Sequence, residues 1–88
     1  MGLGSVELVL AFEEAFGIEL NDDEVVETLT PRKIGDLIYS KLQNDNQVSW
    51  TRKKVSALIK RITIEMHDIS EDVYHDDAHF IHDMGIDQ

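Results

Sequence analysis

The spacing of apolar residues between positions 5 and 16 constrains the fold of this chain more than any other sequence feature. Apolar side chains recur there at positions 6, 9, 10, 12 and 16, which places them on one wide stripe of an α-helix. Ser5 is predicted to cap the start of this helix, and Gly17 is predicted to end it. Three acidic residues are predicted on the opposite side: Glu7, Glu13 and Glu14.

Two further helices are predicted before position 44. Asn21, with Glu24 three residues later, has the spacing of a capping box and indicates a short helix. Thr30 followed by Pro31 indicates the start of a third helix, which should end near Gln43. The apolar stripe of this third helix consists of Ile34, Leu37, Ile38 and Leu42.

A polar break over residues 44–49 precedes a fourth helix, which is predicted to begin near Ser49 or Thr51. Five of the eight basic residues of the chain lie in this helix. A basic helix can mark a membrane or partner surface, but we interpret these residues as neutralising the acidic remainder of the chain. The apolar stripe of the fourth helix consists of Val55, Leu58, Ile59 and Ile62.

Composition restricts the possible functions. The 88 residues correspond to one small domain, and 18 acidic residues against 8 basic ones give a formal net charge of −10. This charge argues against nucleic-acid binding and favours basic partners. No cysteine is present, so neither a disulfide nor a thiolate metal site is possible. No apolar run could span a bilayer and no basic leader is present, so we expect a cytoplasmic protein that does not bind membranes.

The residues from Val6 to Leu20 read Val-Glu-Leu-Val-Leu-Ala-Phe-Glu-Glu-Ala-Phe-Gly-Ile-Glu-Leu. This string resembles the recognition helix of acyl carrier proteins. In that family the helix follows a serine that carries a 4'-phosphopantetheine arm, and its acidic face docks on basic patches of partner enzymes. The resemblance continues to residue 43, where Asp36-Leu37-Ile38-Tyr39 is similar to the Asp-Leu-Ile-Asp-Tyr ending of the family.

The second half of the chain resembles the beginning of the same family. Residues 55–62 are similar to the first helix of a carrier protein, and residues 69–73 to the turn after it. The family's long loop leads to the serine, and its end resembles Asp83-Met84-Gly85-Ile86-Asp87. Gln88 occupies the position of that serine in this chain. The order therefore looks circularly permuted. Residues 1–43 match the second to fourth helices of the family, 44–49 form a linker, and 50–88 match the first helix and long loop.

This resemblance implies a fold class. We expect one all-α domain, a small antiparallel bundle of acyl-carrier type with three longer helices and one short helix, in permuted order. Ile81, Met84 and Ile86 should join Phe80 in covering the first helix. The predicted core consists of Leu8, Val9, Phe12, Phe16, Ile34, Leu37, Ile38, Val55, Leu58, Ile59, Ile62 and Phe80.

Two alignments give different positions for the attachment serine. An alignment on Val6-Glu7-Leu8 puts Gly2 at that position, whereas the local pattern Gly2-Leu3-Gly4-Ser5 puts Ser5 there. We hypothesise that Ser5 carries 4'-phosphopantetheine, which comes from coenzyme A, and that Asp87 stands in for the aspartate missing at Gly4. In the other interpretation, Ser5 only caps the helix and the domain is never modified.

The resemblance implies a carrier rather than an enzyme, since tethering needs no catalytic base. Its partners would be a phosphopantetheinyl transferase and acyl-handling enzymes with basic docking patches. The alternative function is an unmodified acidic adaptor that binds through the same helix. The chain would be a monomer, or a domain-swapped dimer with an extended linker. The predicted partner-binding residues are Val6, Glu7, Leu10, Glu13 and Glu14.

Histidines raise the possibility of a metal site. Imidazole and carboxylate groups bind zinc or nickel, and on a helix His75, His79 and His82 would share one face. However, the resemblance places this segment in an irregular loop, and no established ligand motif matches. We therefore predict no metal site. The remaining candidate ligands are His67, Asp76, Asp77 and Asp83.

Overall fold

The structure, a computed structural model, describes residues 3–46 and 49–86. Within these ranges the chain forms four helices and no strand, and residues after the fourth helix follow a series of turns. The prediction of an all-helical domain with three longer helices and one short helix is therefore confirmed. The helices are α1 (Leu3–Phe16), α2 (Asp22–Val26), α3 (Pro31–Asn44) and α4 (Arg52–His67).

Three predicted helix ends agree with the structure. The side chain of Thr30 accepts a hydrogen bond from the backbone N–H of Lys33 at 3.2 Å and caps α3. Thr51 caps α4 in the same way, through the N–H of Lys54 at 3.1 Å. Gly17 follows α1 with a φ of 67°, a left-handed conformation that glycine adopts at little cost.

The predicted capping role of Ser5 is wrong. Helix α1 begins at Leu3, so Ser5 lies inside its first turn rather than ahead of it. Ser5 is only 5% exposed to solvent. Burial of the Ser5 side chain within the helix thus overrides the preference of serine for a capping position.

The predicted core is largely confirmed. Eight of the twelve predicted residues are buried, and the other four, Val9, Leu37, Leu58 and Ile62, are partly buried and pack against them. The pattern did not identify several other buried side chains. Those that lie outside the helices, and so had no helical spacing to reveal them, include Ile18, Leu20, Tyr74 and Ala78.

The turns after α4 return across the loop between α2 and α3. The N–H of Phe80 donates to the carbonyl of Leu29 at 2.8 Å, and the N–H of Arg32 donates to the carbonyl of Asp76 at 2.8 Å. Arg32 lies in the first turn of α3, where backbone N–H groups lack partners within the helix. The C-terminal segment, residues 68–86, supplies one of these partners. Backbone hydrogen bonds as well as burial therefore fix the path of this segment.

Within the C-terminal segment, Met84 and Ile86 are buried together with Phe80, as predicted. Ile81 is only partly buried, so the expectation that it would join the core is wrong. These residues lie in consecutive turns, where no regular period decides which side chains face inwards.

Helices α3 and α4 are joined by the guanidinium group of Arg52. It donates to the Asp36 carboxylate at 3.0 Å, to the carbonyl of Arg32 at 3.0 Å, and to the hydroxyl of Ser56. Three of the five basic residues of α4 form ion pairs, and two of these pairs reach acidic residues outside α4. The three pairs are Arg52–Asp36, Lys60–Glu71 and Arg61–Glu65.

None of the helices in residues 3–46 and 49–86 combines the length and the apolar character that crossing a membrane requires.

Candidate functional site

Helix α1 presents its outer face to solvent. Leu10 is 56% exposed, and Glu7 and Glu14 are also exposed. The single wide apolar stripe predicted for α1 is therefore wrong at Leu10. The buried face of α1 instead contains Leu8, Phe12 and Phe16, which are spaced four residues apart.

A shallow cleft lies between α1 and the loop that leads to α2. Its volume is ≈ 80 Å³, and it brings together three of the predicted partner-binding residues, Val6, Leu10 and Glu13. Val9 of α1 also lines the cleft, together with Leu20 and Asp22 from beyond α1. The cleft therefore combines exposed apolar surface with carboxylates, which suits a basic partner with an apolar anchor.

Glu13 has a structural contact in addition to its place in the cleft. Its carboxylate accepts a hydrogen bond from the backbone N–H of Leu20 at 2.9 Å, and its carbonyl accepts bonds from the N–H groups of Gly17 and Ile18. These contacts order the chain as it leaves α1. A substitution at Glu13 would therefore disturb the loop as well as the surface charge.

The five predicted partner-binding residues do not form one patch. Glu14 lines a groove on the other flank of α1, together with Ala11, Ala15 and residues of α4. Glu7 lies seven positions before Glu14, a spacing that places both on the same side of a helix. The structure thus brings Val6, Leu10 and Glu13 together, and places Glu14 on a separate surface.

Helix α2 extends the acidic surface beyond α1. Asp22, Asp23 and Glu24 form its first turn, and Glu24 accepts a hydrogen bond from the N–H of Asn21 at 3.1 Å. The ammonium group of Lys41, at 3.0 Å, and this backbone bond hold the pKa of Glu24 below its usual range. Glu24 thus stays charged where the helix dipole also favours negative charge.

Val26 is a surface residue that the sequence reasoning missed. It is 56% exposed, whereas its neighbour Val25 is only 2% exposed. Adjacent residues of a helix point about 100° apart, and on this five-residue helix only Val25 is buried. Residue type and helical spacing do not distinguish the two valines, so the sequence held no signal for this difference.

Ser5, the hypothesised attachment site, lines a small cavity beside the core. The cavity has a volume of ≈ 20 Å³, and its lining includes Phe12, Val25, Ile34 and Phe80. This is close to the space that a single water molecule needs, so an acyl chain does not fit in this arrangement. Asp87 and Gly2, the other residues invoked at the attachment site, lie outside the described residues.

The histidine segment is a series of turns rather than a helix. The Nδ1 atom of His79 accepts the N–H groups of Ile81 and His82, each at 3.1 Å, and the N–H of His79 donates to the Asp83 carboxylate at 2.7 Å. These reciprocal bonds resemble a helix capping box and give His79 a local structural role. In the described parts of the chain, no three histidine, aspartate or glutamate side chains converge as metal ligands.

No model of a known protein family matches the sequence, and no solved structure matches it at a significant level.

Proposed function

We propose that this chain is an acyl carrier protein in permuted order, which tethers acyl or related thioester intermediates on a 4'-phosphopantetheine arm attached to Ser5. The protein itself needs no catalytic residue in this role. The arm holds the acyl group as a thioester and raises its effective concentration at each partner enzyme in turn.

One structural relationship carries the proposal. Phe80, from the segment that resembles the loop before the family's serine, packs against Phe12 of α1 with ring centroids 6.4 Å apart. Phe80 and Ser5 also line the same cavity. The two segments that a carrier needs side by side are therefore adjacent, although they lie at opposite ends of the sequence. This adjacency supports closure of the proposed fold within one chain.

The acidic face of α1 supports the docking part of the proposal. Exposed Leu10 and the nearby carboxylates offer an apolar contact surrounded by negative charge. Opposite charge on a partner would speed its diffusional encounter with this surface, and the apolar contact would then hold it.

Modification of Ser5 requires local opening, because Ser5 is only 5% exposed. Ser5 lies in the first turn of α1, and the ends of helices open at a much smaller free-energy cost than the core does. We therefore expect a transferase to act on a state in which this turn is frayed. An acyl chain would remain outside the core unless the ≈ 20 Å³ cavity beside Ser5 widened.

Intact-mass measurement tests the proposal. The chain is incubated with coenzyme A, magnesium and a phosphopantetheinyl transferase of broad specificity, alongside an established carrier protein as positive control. We expect a mass gain of one phosphopantetheine group, absent from Ser5→Ala and retained in Ser40→Ala, which alters an exposed serine of α3. An unchanged mass in the wild type would refute the carrier function, and a gain that survives in Ser5→Ala would refute the site.

The burial of Ser5 favours a second candidate, an unmodified acidic adaptor. This protein would bind basic partners through the same surface of α1, with no arm. The mass experiment separates the two functions. An unmodified wild-type chain that still binds a basic partner through Val6 and Leu10 would be an adaptor.

A further inference from the structure

A second concave surface lies on the flank of α1 that faces α4. The groove there has a volume of ≈ 460 Å³ and is lined by Ala11, Glu14, Ala15, Ile62, Glu65 and Met66. It shares no residue with the cleft that contains Val6, Leu10 and Glu13. Helix α1 therefore borders two separate surfaces, and this second one does not depend on any modification of Ser5.

The floor of the groove is apolar and open. Ala11 and Ala15 are one helical turn apart and carry no atoms beyond Cβ, so they leave space that larger residues would fill. Met66 is 41% exposed and is flexible enough to adjust to an incoming apolar side chain. A concave apolar surface with a polar border is the usual character of a protein docking site.

Carboxylates lie on both sides of this floor. Glu14 comes from α1 and Glu65 from α4, and in the described residues none of the ion pairs involves Glu14. The Oε1 atom of Glu65 lies 3.3 Å from the Nε atom of Arg61, but the side chains of Glu65 and Arg61 are 65% and 73% exposed. Such surface pairs contribute little free energy, so a cation from a partner can replace Arg61 beside Glu65.

We propose that the groove between α1 and α4 binds a basic amphipathic helix of a partner protein. One apolar side chain of that helix would rest over Ala11 and Ala15 beside Met66, with lysine or arginine side chains next to Glu14 and Glu65. Recognition of an amphipathic helix by a groove uses apolar anchors at helical spacing, with flanking charges that fix its register. A second copy of this chain is a poorer occupant, because it carries the same net charge of −10.

A designed peptide tests this proposal on the full-length protein. The ¹⁵N-labelled chain is titrated with a synthetic leucine–lysine peptide whose leucines have helical spacing. The two controls are the same residues in scrambled order and a version with glutamate in place of lysine. We expect the amide signals of Ala11, Ala15 and Met66 to shift with the helical basic peptide and not with either control. Shifts confined to Val6, Leu10 and their neighbours, equal shifts from the scrambled peptide, or no shifts would overturn the proposal.

Two variants test whether the peptide binds in the groove. Ala15→Phe fills the groove, and we expect it to weaken peptide binding about tenfold, which corresponds to the loss of one well-packed anchor. Ser40→Phe, which adds the same ring at an exposed position of α3, is the control and should bind normally. Equal affinity for Ala15→Phe and the wild type would contradict the proposal.

Charge-reversal variants test the same proposal, and their result does not depend on whether Ala15→Phe folds. Glu65→Lys should weaken binding and reduce its salt dependence, because it reverses a charge at the groove. Glu19→Lys changes the net charge equally at an exposed position away from the groove, and should have a much smaller effect. Equal effects of the two reversals would mean that the peptide responds only to net charge, and the specific site would be wrong.

Discussion

The rings of Phe12 and Phe80 pack against each other with centroids 6.4 Å apart and an interplanar angle of 51°. Phe12 is 1% exposed and Phe80 is 4% exposed. The contact joins the first helix to the last turns of the chain across 68 positions of sequence. It is tilted, as aromatic pairs usually are, because the positive edge of one ring favours the negative face of another.

Replacing Phe12 with alanine should lower the free energy of unfolding by about 3–5 kcal/mol, since the ring is fully buried and its loss leaves a cavity. Equilibrium denaturation in urea measures this change. Leu10→Ala, an apolar truncation on the exposed face of the same helix, should change stability by less than about 0.5 kcal/mol. A loss below about 1 kcal/mol for Phe12→Ala would place the ring at the surface.

Removing residues 79–88 should leave a molten or unfolded chain. Phe80, Met84 and Ile86 would be lost from the core, and each buried side chain of this kind contributes about 1.5–3 kcal/mol. Near-ultraviolet circular dichroism and dye binding report the loss of fixed packing. Val73→Ala, at a 41% exposed position of the same segment, is the control and should melt close to the wild type. A truncated chain that melted like the full one would contradict the packing of this segment.

Asp77→Asn should make stability less dependent on pH in the acid range. The Arg32 guanidinium, 2.7 Å away, holds the pKa of Asp77 below its usual value of about 3.9. A lowered folded-state pKa stabilises the protein above the unfolded value, and this contribution is lost as pH falls through the folded value. Asp77→Asn should therefore be less stable than the wild type near pH 7, with a difference that disappears at low pH.

Thermal melts between neutral and acid pH check this expectation. Both side chains of the pair are exposed, so the effect should be small and should shrink further in high salt. Asp72→Asn, at an exposed aspartate of the same segment, removes one charge without breaking an ion pair of the described residues and serves as control. Parallel curves for Asp77→Asn and the wild type across the acid range would show that the pair does not contribute.

His79→Ala should destabilise the turn that carries Phe80. The Nδ1 atom of His79 is the acceptor for two backbone N–H groups, and loss of a comparable capping side chain costs about 0.5–2 kcal/mol. His79→Asn should recover much of the loss, because the asparagine oxygen can accept the same bonds. Denaturant melts of the two variants give the comparison. Equal stability of the alanine and asparagine variants would exclude the capping role.

Reversing Glu7 and Glu14 to lysine should slow association with a phosphopantetheinyl transferase and flatten its salt dependence, because electrostatic steering depends on charge and is screened by salt. Stopped-flow measurements at low and high salt supply both quantities. The matched control is a double reversal at Glu19 and Glu27, which are exposed outside α1. Unchanged association rates at low salt would exclude the surface of α1 that carries Glu7 and Glu14 from the interface.

Local chemistry in the sequence determined where most helices begin and end. Thr30 and Thr51 cap their helices with side-chain oxygens, and Gly17 ends α1 in the left-handed conformation it adopts easily. Most apolar core positions of α3 and α4 also followed from sequence, because helical spacing places residues three and four apart on one face, although the fully buried Thr63 was not identified. These features depend only on residues within a few positions of one another.

Tertiary packing decided which surfaces of α1 are covered and which side chains of the turns after α4 are buried. The sequence could not show that Ser5 is buried within the first turn of α1, or that Glu13 and Glu14 belong to different surfaces. Each depends on which neighbour covers which flank of α1. The course of residues 68–86 likewise depends on bonds to Leu29 and Arg32, about 44 to 51 positions away. Turns have no repeating period, so only these distant contacts select which of their side chains are buried.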